Sequence, residues 1–170
     1  MIELHELIID DCFEKVEKNP RIRHTVRGII LNDANEIALI HIKGVDQFGY
    51  RDHYELPGGG IEEDEDEYRA LQREMHEEIG YLIDDIKPIG TISNEYNLLK
   101  RIDCQHFYYA KAKTFVGQEL IDYEKDIFTE IVFVLVDNIV DFYTNHPAEG
   151  IGKNIQYRDL IAIKKCFNIQ

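Results

Sequence analysis

Gly58-Gly59-Gly60, preceded by Leu56-Pro57 and followed within a few residues by the clearest helical pattern in the chain, narrows what this sequence can fold into. Pro57 has no N–H for a strand ladder, and consecutive glycines permit positive φ and close backbone approach. The short strand His53–Leu56 is therefore ended by the glycine run. Asp64–Ile79 then reads as a helix whose apolar positions Tyr68, Leu71, Met75 and Ile79, at spacings of three and four, form one buried stripe. Asp64 with Glu67 resembles a capping box, and Gly80 stands where a left-handed C-terminal cap is wanted.

The last two turns of that helix carry more acid than folding explains. Glu74 and Glu78 are four apart and Glu77 is three from Glu74, so the three carboxylates share one side. Such like-charge pairs cost about 0.2–0.5 kcal/mol each on an exposed helix, and they lie near the negative end of the helix dipole. Arg73 offsets part of this through its i,i+4 partner Glu77. A solvated acidic face is the plain structural reading. A divalent cation changes the balance, because Mg²⁺ is bound by one or two carboxylates together with substrate phosphate oxygens. The glycines add a backbone that a metal or phosphate can approach. No Gly-Lys-Ser/Thr follows them, so they do not form a Walker A loop.

Elsewhere, Arg23–Leu31 and Ile37–Ile42 read as strands of a hairpin turned at Asn32-Asp33-Ala34-Asn35. Ile86–Ile92, Asp103–Ala112 and Ile131–Val136 read as further strands. Leu160, Ile163 and Phe167 give the C-terminal region one helical face. Ile2–Ile9 suits an added strand and Asp11–Lys18 a helical turn before Pro20. Hairpins outnumber βαβ crossovers, so an α+β fold is expected, with helices packed on a mixed sheet. The 170 residues suit one domain, with residues 1–20 as an N-terminal extension and 137–170 as a C-terminal helical region.

Charge narrows the partners. Asp and Glu outnumber Lys and Arg 33 to 19, for a net charge of −14, and there is no basic run. Polymeric nucleic acid, which is gripped through clustered Lys and Arg, is not an expected partner. A small anion bridged to carboxylates by divalent cations is. The apolar stretches are short and interrupted by charge, so no membrane span is expected, and Met1-Ile2-Glu3-Leu4-His5 does not resemble a secretory signal. A cytoplasmic protein is the expectation, with a homodimer left open. Cys12, Cys104 and Cys166 have no metal-ligand spacing and read as free thiols.

Gly59, five residues, Glu65, seven residues, and then Arg73-Glu74-Met75-His76-Glu77-Glu78-Ile79-Gly80-Tyr81 fit the pattern GX5EX7REUXEEXGU, where U is bulky and apolar. This resembles the Nudix box of the Nudix hydrolases, with Leu56-Pro57-Gly58-Gly59 like the usual lead-in. Asp64 departs from the glycine often found there, and Tyr81 is a polar-tipped version of the last position. The resemblance implies a Nudix-type α/β/α sandwich and a pyrophosphohydrolase that cleaves a nucleoside diphosphate linked to another moiety, using Mg²⁺ or Mn²⁺. It implies Glu74, Glu77, Glu78 and the carbonyl of Gly58 as metal ligands, and Glu65 with Arg73 as a structural ion pair. Glu77 is favoured as the residue that orients or deprotonates the attacking water. A further acid after the box is expected from Glu119, Glu124 or Glu130, with Glu130, next to the Ile131 strand, carried as the catalytic candidate.

Substrate choice lies outside the box. Lys43, Arg51, Arg101 and His106 are candidate phosphate contacts, and Tyr50, Tyr54 and Tyr96 candidate stacking partners for a base. Two other readings stay open: a catalytically silent ligand-binding or sensor domain, and an isoprenoid diphosphate isomerase, for which Cys104 is the cysteine available. An EF-hand is excluded, because Asp64–Glu67 lacks the glycine and glutamate such a loop needs.

Overall fold

The computed structural model describes residues 5–16 and 18–170. Eight strands form one mixed sheet: β1 (His5–Ile8), β2 (Arg21–Leu31), β3 (Glu36–Asp46), β4 (Gly49–Glu55), β5 (Gly58–Gly60), β6 (Tyr81–Tyr96), β7 (Arg101–Phe115) and β8 (Phe128–Leu135). Among the described residues, four α-helices accompany them: α1 (Glu67–Ile79), α2 (Asp122–Ile127), α3 (Ile139–Asn145) and α4 (Ile151–Phe167).

β2 organises the sheet. It runs parallel to β7 from Arg21/Arg101 to Leu31/Lys111, and pairs antiparallel with β5 through Thr25, Val26 and Arg27. The expected β2–β3 hairpin is present only at its turn, where Leu31 pairs with Ile37. Asn32 builds that turn by accepting the N–H groups of Ala34 and Glu36 at 3.0 and 2.9 Å. Beyond it β3 leaves β2 and pairs with β4 and β8. The glycine strand takes the vacated place beside β2, and this split positions the site.

Each face of the sheet is covered. α1 buries Leu71, Met75 and Ile79 against Val26, Ile30, Ala38 and Ile40. On the other face, α3 and α4 bring Ile139, Ala162 and Ile163 onto Ile29, Ile37, Leu39, Leu56 and Phe107. The α/β/α layering expected from the sequence is therefore present, with Leu160 and Phe167 packing beside Ile163 as their spacing requires. Among the described residues, no helix is long and apolar enough to cross a membrane.

The N-terminal segment differs in part from expectation. His5–Ile8 is a strand, parallel to β6, while residues 2–4 of the expected strand lie outside the described residues. No helical turn forms among the described residues of Asp11–Lys18. The Asp10 carboxylate instead accepts the N–H groups of Cys12, Phe13 and Asn97, at 2.9, 3.1 and 2.8 Å, and ties the segment to the end of β6.

Candidate active site

α1 starts later than its sequence suggests. Asp66, not Asp64, is the N-cap, and its side chain accepts the N–H of Arg69 at 2.9 Å. Asp64 lies before the helix at φ 63°, a left-handed position that glycine favours and aspartate tolerates. The buried stripe also turns. Tyr68 is exposed beside Tyr108, and Ala70, Glu74 and Glu78 take the buried flank next to Leu71, Met75 and Ile79. Gly80 closes the helix at φ 74°, as expected.

Two of the three carboxylates are thus pressed into the protein, at 6% exposure for Glu74 and 8% for Glu78. Glu78 accepts the N–H of Gly58 at 2.7 Å. Burial, reinforced by the neighbouring Glu74, pushes its carboxyl well above the usual carboxylate range. Burial raises Glu74 as well, against the opposing pull of Arg73. The glycines make this approach feasible: a Cβ on Gly59 would lie 2.5 Å from Glu74 Oε1, and one on Gly60 would lie 2.5 Å from an Arg23 nitrogen.

Arg73 braces the corner. Its Nε and Nη2 each donate to Glu65 at 2.9 Å, a bidentate pair, and Nη2 also donates to the Gly60 carbonyl at 2.9 Å. Nη1 reaches Glu74 at 2.8 Å and Glu77 at 3.2 Å. The Arg73 hydrogen bonds hold Glu65 below the usual carboxylate range. Glu65 and Arg73 therefore meet as the sequence pattern implied.

Gly58, Arg73, Glu74, Glu77 and Glu78 line a cavity of about 450 Å³, together with Arg23, Arg27, Arg51 and Arg101 and the acids Glu55 and Asp103 that pair with them. Arg27 is tightly held, donating to Gln105 at 3.0 Å and to the Leu56 carbonyl at 3.1 Å. Arg23 is freer, 3.5 Å from Asp103 with its side chain 40% exposed. Phe48, Tyr96 and Tyr123 supply aromatic surface. Sequence reasoning missed Arg23, Arg27, Phe48, Asp103 and Tyr123. The signal for the β2 pair was present as alternation: Arg21, Arg23, Thr25 and Arg27 occupy every second position, in parallel register with Arg101, Asp103, Gln105 and Phe107.

Other expected residues divide. Arg51, Arg101 and Tyr96 line the cavity. Tyr54 does not: it stacks on His41 with ring centroids 4.3 Å apart and, with Tyr50, lines a separate hollow. The alternation of β4 sends residues 50, 52 and 54 to that side and Arg51 and Glu55 to the other. Lys43 pairs with Asp52, and His106 pairs with His24 and Glu67, both away from the cavity. Cys104 sits beside Ser93, outside the cavity lining. Among the three downstream acids, Glu124 lines the cavity, where burial raises its carboxyl and Glu77 adds to the effect. Glu130 is 57% exposed on β8 beside His41, and Glu119 is 70% exposed beside His76. Glu130 pairs with His41, which lines the separate hollow, whereas Phe128 on the same strand pairs with Ile42 and lines the cavity.

The donor chemistry fits a hard divalent cation, because it consists of carboxylate oxygens, two of them on the buried side chains Glu74 and Glu78. As they stand, no three His, Cys, Asp or Glu side chains among the described residues are grouped closely enough to hold a metal. Arg73 Nη1 lies between Glu74 and Glu77 as their counter-charge.

Comparisons with known proteins bear on the family and the fold. The NUDIX domain model matches residues 22–150. No curated protein matches the sequence. Among solved structures, a NUDIX hydrolase from Nitrosomonas europaea superposes with a TM-score of 0.66 at 16% identity, covering 87% of this chain and 90% of that one. A protein described as an ADP compounds hydrolase gives 0.63 at 18% identity, over 89% and 75% of the two chains. The NUDIX domain of Shewanella oneidensis NrtR, complexed with ADP ribose, gives 0.61 at 17% identity, over 89% and 88%. At such identities these structures share the fold.

Proposed function

Because the chain belongs to the NUDIX domain family, we propose that it is a pyrophosphohydrolase, dependent on Mg²⁺ or Mn²⁺, that cleaves the phosphoanhydride linkage of a nucleoside diphosphate joined to another moiety. One observation carries this reading: the buried carboxylates Glu74 and Glu78 line a single cavity with Arg23 and Arg27. Carboxylates and guanidiniums in one cavity suit an anion that arrives with divalent cations.

Glu74, Glu77 and Glu78, with the Gly58 backbone, would hold the metal. When bound, it supplies Lewis-acid stabilisation of the diphosphate and lowers the pKa of water. Glu77 orients or deprotonates the attacking water. Glu124 assists it in this reading, since it shares the cavity with Glu77, whereas Glu130 does not. Arg23 and Arg27 bind phosphate oxygens, Arg27 from a fixed position and Arg23 adaptively. Phe48, Tyr96 and Tyr123 give a base or sugar an apolar surface.

The test is hydrolysis of a panel (ADP-ribose, nucleotide sugars, nucleoside triphosphates, dinucleoside polyphosphates) with Mg²⁺ or Mn²⁺. Turnover of at least one that is lost with Glu77→Gln supports the reading. No turnover of any, or turnover indifferent to Glu77→Gln, refutes it.

A ligand-binding module without turnover is the competing reading, prompted by the ADP ribose complex of the NrtR domain. Retention of all three box glutamates favours hydrolysis. An isomerase reading loses its cysteine, because Cys104 stands outside the cavity lining.

A further inference from the structure

β4 is the outer strand of its side of the sheet, so its outward backbone groups need partners from elsewhere. α4, which begins just beyond the stretch matched by the family model, supplies them. Gln156 Oε1 accepts the N–H of Tyr54 at 2.9 Å, and Asp159 Oδ2 accepts the N–H of Leu56 at 2.7 Å. Positions 54 and 56 face the same strand edge, and positions 156 and 159 the same helix face. The helix approaches so closely that a Cβ on Gly152 would lie 2.9 Å from the His53 ring.

Asp159 is itself fixed. Its second oxygen accepts from Arg158 Nε at 2.7 Å, and both side chains have no solvent exposure. Downstream of the Leu56 N–H, each peptide group is held in turn. The Leu56 carbonyl accepts from Arg27 at 3.1 Å, the Pro57 carbonyl accepts the Gly28 N–H at 2.9 Å, and the Gly58 N–H donates to Glu78 at 2.7 Å.

We infer that Asp159 is a positioning residue for the metal site: by holding the Leu56 N–H it fixes the run Leu56–Gly58 that presents the Gly58 N–H to Glu78. This rests on the proposed role of Glu78 as a cation ligand. Asp159 acts at a distance, through backbone, and touches neither metal nor substrate.

The experiment compares two double variants that remove the same buried charges. Arg158→Met/Asp159→Asn keeps an acceptor for the Leu56 N–H, and Arg158→Met/Asp159→Ala removes it. Amide exchange at Leu56 and Gly58 is read by NMR in EDTA, and Mn²⁺ affinity by calorimetry. With the alanine pair, exchange at both amides accelerates at least about tenfold and Mn²⁺ affinity falls about 10–100-fold, the usual effect of removing support behind a metal ligand. The asparagine pair stays near wild type in both. Equal behaviour of the two pairs overturns the inference. If wild type takes no Mn²⁺, the proposed function fails, and exchange at Gly58 still decides the positioning role. If the alanine pair does not fold, Asp159→Asn alone serves: it should lose stability beside an unpaired Arg158 yet keep wild-type Mn²⁺ affinity, and a tenfold loss of affinity overturns the inference.

Discussion

Glu78 and Gly58 are joined by a 2.7 Å hydrogen bond from the Gly58 N–H to a carboxylate oxygen, which locks the last turn of α1 to the glycine strand. The bond lowers the cost of burying Glu78 without removing it, since burial and Glu74 still hold the carboxyl well above its usual range. The corner is therefore under electrostatic load before any cation arrives.

That load sets a pH dependence. A carboxyl whose pKa is raised on folding contributes stability below the unfolded value, about 4.3, and loses it as pH climbs through the folded value. In EDTA, Glu78→Gln and wild type should melt together at acid pH. The variant should melt higher, by a few degrees, once pH exceeds the ordinary carboxylate range. Thermal melts across pH check this; a variant less stable than wild type at neutral pH in EDTA contradicts it.

The glycines separate stability from activity. The atoms nearest to a methyl at Gly59 are those of the Glu74 carboxylate end, so Gly59→Ala should fold within about 1 kcal/mol of wild type while displacing Glu74 and losing hydrolysis. Gly58 sits at φ 147° with the Val26 carbonyl where a Cβ would be. Gly58→Ala should cost about 3 kcal/mol or more, by strain against backbone. Urea denaturation of both variants, with activity, is the check.

Sequence revealed much of this corner and less of its surroundings. Glu65, Arg73, Glu74, Glu77 and Glu78 lie at spacings a single helix enforces, so their meeting was legible. The burial of Glu74 and Glu78 was not, because the apolar stripe was read through Tyr68, and Ala70 on the other flank decides how far the helix rolls. The meeting of Arg23 and Arg27 with Arg101 depends on β2 and β7 lying parallel in register, a long-range pairing that no local pattern specifies. Glu130 misleads for a related reason: proximity to a strand says nothing about which face of the sheet the side chain takes, and Glu130 shares its face with His41.

Arg73 should matter for stability beyond its role in the site. Arg73→Lys keeps the charge and loses the bidentate grip on Glu65, which should cost roughly 2 kcal/mol in chemical denaturation. Glu65 is held low by Arg73, so this contribution is present above the unfolded carboxylate pKa and is lost as pH falls through the folded one. The difference between wild type and Arg73→Lys should shrink as pH falls below the ordinary carboxylate range; a constant gap would contradict the assignment.

Arg23 is partly exposed and bonded only loosely to Asp103. Arg23→Ala should leave the melting temperature within about 2 °C, as for a surface change, and raise KM for the preferred diphosphate substrate about tenfold, by loss of a charge-assisted contact worth about 1.4 kcal/mol or more. Steady-state kinetics on that substrate would show it, and an unchanged KM would remove Arg23 from the binding wall.

Mn²⁺ binding measured by calorimetry on wild type, Glu74→Gln and Glu78→Gln tests the central claim, that the two buried carboxylates hold a divalent cation. The account predicts saturable binding by wild type, with affinity reduced at least about tenfold in each variant. Binding unchanged by both substitutions, or no binding by wild type, would contradict it.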